Sequence, residues 1–210
     1  MTQTLPKPID TDADLALVER AIREAPLTYR LMLTILRETG MRAGEVCGLQ
    51  VRDVILDPGR EMLWVRAGKT GDRVVTLTSN THARTIRGLR AYLKQLGNRP
   101  PASALFLSNR KTQVSYDALE YQWQRALIDR GLTDERGKAR YTLHQLRHTR
   151  ATELLNAGMR IEDVQRFLGH KSIKSTQVYA QISDTVLRER LMDVRLPKAR
   201  GRKDEYDDNY

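Results

Sequence analysis

Residues 142–158, TLHQLRHTRATELLNAG, decide how the rest of the chain is read. Thr142 and Gln145 have the spacing of a capping box, so a helix begins at Leu143, and Gly158 supplies the residue type that stops one. On a wheel of about 100° per residue with Leu143 at zero, Leu154 falls near ~20°, Ala151 near ~80° and Leu155 near ~120°. Arg147 then falls near ~40° and His144 near ~100°, in the middle of the face that should be buried. A guanidinium there is costly unless it meets an anion or a full set of hydrogen-bond acceptors. An internal salt bridge to a buried carboxylate fits the helix equally well, and a histidine there is either a satisfied core residue or a catalyst.

Downstream, Ile161, Val164 and Leu168 mark a second helix ended by Gly169, so His170 emerges from a glycine-capped terminus. Tyr179 follows within a short helix opened by Ser172 or Ser175, and Leu187, Leu191 and Val194 mark a fourth. Beyond Leu196, residues 197–210 lack apolar periodicity and read as a mobile charged tail.

This last third is also where positive charge gathers. The 210-residue chain carries 36 Lys+Arg against 26 Asp+Glu, a net charge of +10, which attracts polyanions such as nucleic acid. Between residues 136 and 174 nine basic residues face three acidic ones, and three of the four histidines lie there too. The same composition excludes other classes. No apolar run is long enough for a membrane span, and the N-terminus lacks the pattern of a signal peptide, which predicts a cytoplasmic protein. A single cysteine, Cys47, forms no internal disulfide and no cysteine zinc cluster, and it reads as a small packing residue.

Upstream, Thr11 with Asp14 signals a helix start followed by Leu15, Val18 and Ile22, closed by Pro26. A second helix over residues 27–39 carries Leu27, Leu31 and Ile35 on one face and ends at Gly40; a short third covers residues 43–49 with Val46 and Leu49 inward. From 51 to 77 the texture becomes β-prone in three runs, separated by Asp57-Pro58-Gly59 and Gly68-Lys69-Thr70-Gly71-Asp72. Helical periodicity returns over residues 81–96 and 116–130. The predicted fold is therefore mainly α, with a small three-stranded antiparallel sheet packed on the helices.

In order and spacing, His144-Gln145-Leu146-Arg147-His148 onward, then VQRFLGH over 164–170 and STQVY over 175–179, resemble the carboxy-terminal signature of the tyrosine recombinases, or phage integrases. TGMRAGEVCGL over 39–49 resembles that family's amino-terminal box, and Gly68-Lys69 sits where it carries a catalytic lysine. The resemblance runs from about residue 10 to 191, so it implies a catalytic domain over 10–196, preceded by an arm or linker remnant over 1–9.

The resemblance implies metal-free, ATP-free cleavage and rejoining of DNA through a 3′-phosphotyrosyl link. Arg42 and Arg147 would hold the two non-bridging oxygens, Tyr179 would attack phosphorus, and Lys69 would protonate the leaving 5′ oxygen. His144 and His170 would hydrogen-bond the phosphate and shuttle protons, with Glu45 behind Arg42 orienting the site. Arg73, Arg140, His148, Arg150, Lys171 and Lys174 are the candidate DNA contacts. No cofactor or metal is called for.

Three features depart from the family pattern. The Lys69 turn is one residue short and lacks a second lysine; Lys69 remains the candidate, and Arg73 is either a contact or a scaffold residue. Arg150 and Glu153 stand where the family often has an aromatic residue and a histidine, through local repacking or altered DNA contacts. The amino-terminal core-binding domain of the family is not present in these residues, so the chain reads as a catalytic fragment or a single-domain member, with weak, salt-sensitive DNA binding. The family forms tetramers on DNA from monomers in solution; the helix at Leu187, Leu191 and Val194 would pack on its own domain or insert into a neighbour. Rival readings are a type IB topoisomerase, a non-catalytic DNA-binding regulator on the same scaffold, and a metal-dependent nuclease or transposase.

Overall fold

The computed structural model describes residues 8–9, 11–68 and 71–169; Lys69, His170, Lys171, Lys174, Tyr179 and the predicted C-terminal helices and tail lie outside the described residues. Thr11 caps the first helix, α1 (Asp12–Glu24), by accepting from the Asp14 amide at 3.0 Å. Pro26 starts and Gly40 ends α2 (Leu27–Thr39), the glycine adopting φ 63°, which only it enters without a Cβ penalty. A five-residue helix, α3 (Ala43–Cys47), follows.

The β-prone runs form β1 (Val54–Ile55), β2 (Met62–Gly68) and β3 (Gly71–Thr76), an antiparallel meander in the order β1-β2-β3. Leu63 pairs with Val75 and Val65 with Arg73, and the register shifts between Val65 and Gly68. Side chains alternate across a strand, so Leu63, Val65, Val75 and Leu77 line the buried face while Trp64 and Val74 face outward. Arg73 falls on the buried face with them.

Four further helices complete the described fold: α4 (Ala83–Leu96), α5 (Tyr116–Ile128), α6 (Leu143–Asn156) and α7 (Ile161–Leu168). α2 is the axis on which α1, α4, α5 and α6 pack, and every residue from Leu31 to Gly40 is buried. This exceeds the one-sided stripe expected from its periodicity, and it submerges Arg37 and Glu38. Their charges are met from other helices: Arg37 pairs with Glu153 of α6 at 2.8 and 2.5 Å and with Glu19 of α1 at 2.9 Å, while Arg84 of α4 bridges Glu19 and Glu38 at 2.5 and 2.8 Å. Glu38 also accepts from the Thr85 amide at 2.9 Å, satisfying an orphan donor in the first turn of α4.

Trp123 of α5 donates its indole N–H to the Tyr141 carbonyl at 2.9 Å, and the Tyr141 hydroxyl meets Asp14 of α1 at 2.5 Å. These bonds fix the approach to α6, whose capping box of Thr142 and Gln145 forms as expected. Among the described residues no helix is long and apolar enough to cross a membrane.

Candidate functional site

The site is assembled where α6 passes between the carboxyl ends of α2 and α7. Arg147 is only 2% exposed, yet it donates Nη1–H to the Gly40 carbonyl at 2.6 Å and Nη2–H to the Leu168 carbonyl at 2.9 Å. Both acceptors belong to helix termini, where carbonyls lack intrahelical partners and the backbone dipoles favour a cation. The guanidinium is thus held rigidly by main-chain oxygens.

Arg42 precedes α3 and its Nη1 meets Glu45 Oε1 at 2.9 Å, while its own amide donates to Glu45 Oε2 at 2.9 Å. Glu45 Oε2 also accepts from Arg73 Nη2 at 2.7 Å. Burial works against the Glu45 carboxylate, but the field of Arg73, the Arg42 amide and the two guanidinium hydrogen bonds together hold its pKa below the ordinary carboxyl value. Glu45 remains ionised and ties strand β3 to the start of α3.

His144 departs from the wheel reading: it is exposed, although Leu143 beside it in the first turn of α6 is buried. Its ring stands edge-on to that of His148 with centroids 4.4 Å apart. Partial loss of hydration first, and then the positive fields of Arg147 and Arg42, push its pKa below the ordinary histidine value. Arg42 and, about a hundred positions later, His144 and Arg147 thus share one local field.

The candidate DNA contacts divide. Arg140 is exposed and pairs with Asp14 at 3.0 Å. His148 is instead buried, with 4% of its surface exposed. Arg73 spends its guanidinium inside the protein, on Glu45 and on the Phe167 carbonyl at 3.2 Å, with its side chain 12% exposed. Arg150 is also turned inward, 13% exposed and 3.5 Å from Glu153. All three side chains are turned inward in the described structure. Arg150 and Glu153 both join the ion-pair system around Arg37.

Sequence reasoning missed His82. The ring is buried at the start of α4, where Nδ1 accepts from the Thr78 amide at 3.1 Å and Nε2 has no partner among the described residues. Burial, followed by the field of Arg150, lowers its pKa to about 4. Two Arg150 nitrogens, Nε and Nη2, are likewise buried without a hydrogen-bond partner among the described residues. Cys47 is buried and its thiol is pushed up to about 11 by burial, as befits a packing residue. An apolar cavity of about 280 Å³ between α1, α2 and α4 is lined by Ile22, Leu31, Gly88 and Tyr92 and by none of the candidate site residues. No group of three or more metal-ligating side chains occurs among the described residues.

A model of the phage integrase family matches residues 10–185. The chain belongs to the phage integrase family. This integrase-family chain is 32% identical over 200 residues to the tyrosine recombinase XerC of Pelobacter propionicus, covering 94% of the chain and 62% of that protein. It is 30% identical over 188 residues to XerA of Pyrococcus furiosus, covering 89% and 61% respectively. It therefore spans about three fifths of the length of these relatives. A crystal structure of XerA recombinase superposes with a TM-score of 0.70 at 28% identity, covering 90% of this chain and 67% of that one. The Tn1549 transposon integrase, in complex with circular intermediate DNA, shares the fold with a TM-score of 0.71 at 21% identity, covering 91% and 68%.

Proposed function

We propose that the chain is the catalytic domain of a site-specific DNA recombinase, with residues 10–196 forming that domain. The observation that carries this reading is the pair of guanidinium groups, Arg42 and Arg147, whose fields converge on His144 while their supports are fixed within the protein. A phosphodiester in the transition state of cleavage gathers charge on its two non-bridging oxygens, and preorganised donors stabilise that charge most when they need not reorganise. Arg147 meets this requirement through its two carbonyl anchors and Arg42 through Glu45.

In the proposed reaction the Tyr179 oxygen forms a bond to phosphorus as the bond from phosphorus to the 5′ oxygen breaks. The phenol proton leaves by way of the histidines, and Lys69 delivers a proton to the departing 5′ oxygen. The phosphodiester becomes a 3′-phosphotyrosyl ester of similar energy, so the reverse attack by a 5′ hydroxyl rejoins the strand without ATP. His144, with its lowered proton affinity, is neutral near pH 7 and able to accept a proton. His170 lies next to Gly169 in sequence and is assigned the second hydrogen bond to the phosphate. Arg140, Lys171 and Lys174 are the cations assigned to flanking phosphates; the protein would act in the cytoplasm as a tetramer on DNA and a monomer without it.

The test is a nicked suicide duplex incubated in EDTA with the parent chain or Tyr179→Phe. A denaturation-resistant protein–DNA adduct from the parent alone is expected. Adduct formation by the phenylalanine variant would place the nucleophile elsewhere, and absence of any adduct would leave a DNA-binding scaffold without chemistry. The curated relatives, XerC and XerA, are tyrosine recombinases by name, which favours strand exchange over topoisomerase-like relaxation.

A further inference from the structure

We propose that Arg73 is a positioning residue for DNA cleavage: it registers Arg42 against the carboxyl end of α7 from the buried face of strand β3. The proposal rests on the cleavage reading above and extends it to a residue outside the reacting set. Arg73 reaches two elements besides its own. Nη2 grips Glu45 Oε2 at 2.7 Å, and the same carboxylate holds the Arg42 side chain and amide at 2.9 Å each. Nη1 donates to the Phe167 carbonyl at 3.2 Å, one residue before the Leu168 carbonyl that receives Arg147. Consecutive carbonyls in the last turn of α7 therefore accept from two arginines, one from the strand and one from α6.

The fit around the side chain is close. A Cβ placed on Gly169 would lie 2.6 Å from Arg73 Cδ and 2.7 Å from its Nε, and Gly169 adopts φ 71°. Glycine at 169 thus serves both the left-handed turn and the space that Arg73 occupies. A planar fork can donate to a carboxylate on one side and to a carbonyl on another from a single rigid group, whereas an ammonium is a point donor on a flexible stem. Charge alone at position 73 would neutralise Glu45 without spanning from α3 to α7.

Arg73→Lys and Arg73→Met, each checked by thermal unfolding, are compared with the parent in single-turnover cleavage of a suicide duplex carrying either a normal phosphate or a methylphosphonate at the scissile position. The methylphosphonate replaces one charged oxygen with a methyl group, so a misplaced Arg42 has less charge left to stabilise. Both variants should cleave the phosphate substrate about 10- to 100-fold more slowly, the range of an imperfectly placed oxyanion donor. The deficit on the methylphosphonate should shrink to within about threefold, while affinity for the uncleaved duplex stays within about twofold. Arg73→Lys at the parental rate, or equal deficits on both substrates, would overturn the proposal. A parent chain that forms no adduct on either duplex would instead remove the cleavage reading beneath it.

Discussion

Arg37 and Glu153, 116 residues apart, join α2 to α6 through two parallel hydrogen bonds of 2.8 and 2.5 Å. The Arg37 side chain is 9% exposed and that of Glu153 is 33% exposed, so water reaches one partner and hardly the other. Breaking a fully buried pair costs about 3–5 kcal/mol because it strands a charge; solvent access at Glu153 reduces the expected loss for Glu153→Gln to about 2 kcal/mol. Urea unfolding measures it. Replacing both partners, as Arg37→Met with Glu153→Leu, should recover most of that loss. A Glu153→Gln midpoint equal to that of the parent would mean the pair does not hold the helices together.

Acid should weaken the fold through His82 before it reaches the carboxylates. The folded pKa of His82 is lowered from 6.5 to about 4, so between those values the unfolded chain takes up a proton that the native ring refuses. Stability therefore falls as pH falls through this window, by on the order of 3 kcal/mol in all. His144 acts in the same direction. Glu38 and Glu45 have lowered pKa values, so their contribution is present above 4.5 and is lost only at lower pH. Denaturant unfolding at pH 7 and pH 4.5 should show a smaller pH dependence for His82→Asn, whose side-chain oxygen still accepts from the Thr78 amide. An identical dependence in parent and variant would assign the acid sensitivity to other groups.

Two glycines near the site should respond in opposite senses to alanine. Gly40 has φ 63°, and a Cβ there would lie 2.6 Å from Leu168 Cδ2. Gly40→Ala should cost about 2 kcal/mol, combining left-handed strain with displacement of Leu168. Gly44 lies within α3, and a Cβ there meets nothing within 4 Å among the described residues. Gly44→Ala should be neutral or stabilise by about 0.5–1 kcal/mol, since alanine loses less backbone entropy in a helix. Thermal unfolding of the two variants side by side checks this, and equal shifts would contradict the geometry.

The elements whose limits were legible in the sequence are those with chemical punctuation. Pro26 and Gly40 bound α2, Thr142 and Gln145 start α6, and Gly169 ends α7, each through a local backbone requirement. Burial of charge was not legible from local pattern. Arg37 and Glu38 look like a solvated face until Glu19, Arg84 and Glu153 arrive from other helices. A helical wheel placed Arg147 correctly on the covered side but misplaced His144, because it records direction around the axis and not which neighbouring element covers that direction. Arg73 had a usable signal: alternation with Val75 and Leu77 puts it on the inward side of the strand. Its charge argued for the surface, and only a partner 28 residues upstream made the inward side tolerable.

The carbonyl anchors of Arg147 bear on how this site tolerates evolutionary drift. Every amino acid brings the same main-chain oxygen, so no exchange of side chain at residue 168 deletes the acceptor itself. Selection is transferred from chemical identity to the path of the polypeptide, and at residue 40 that path admits little besides glycine. Lineages could thus diverge widely in the surrounding packing while the guanidinium stays seated, provided that bend survives.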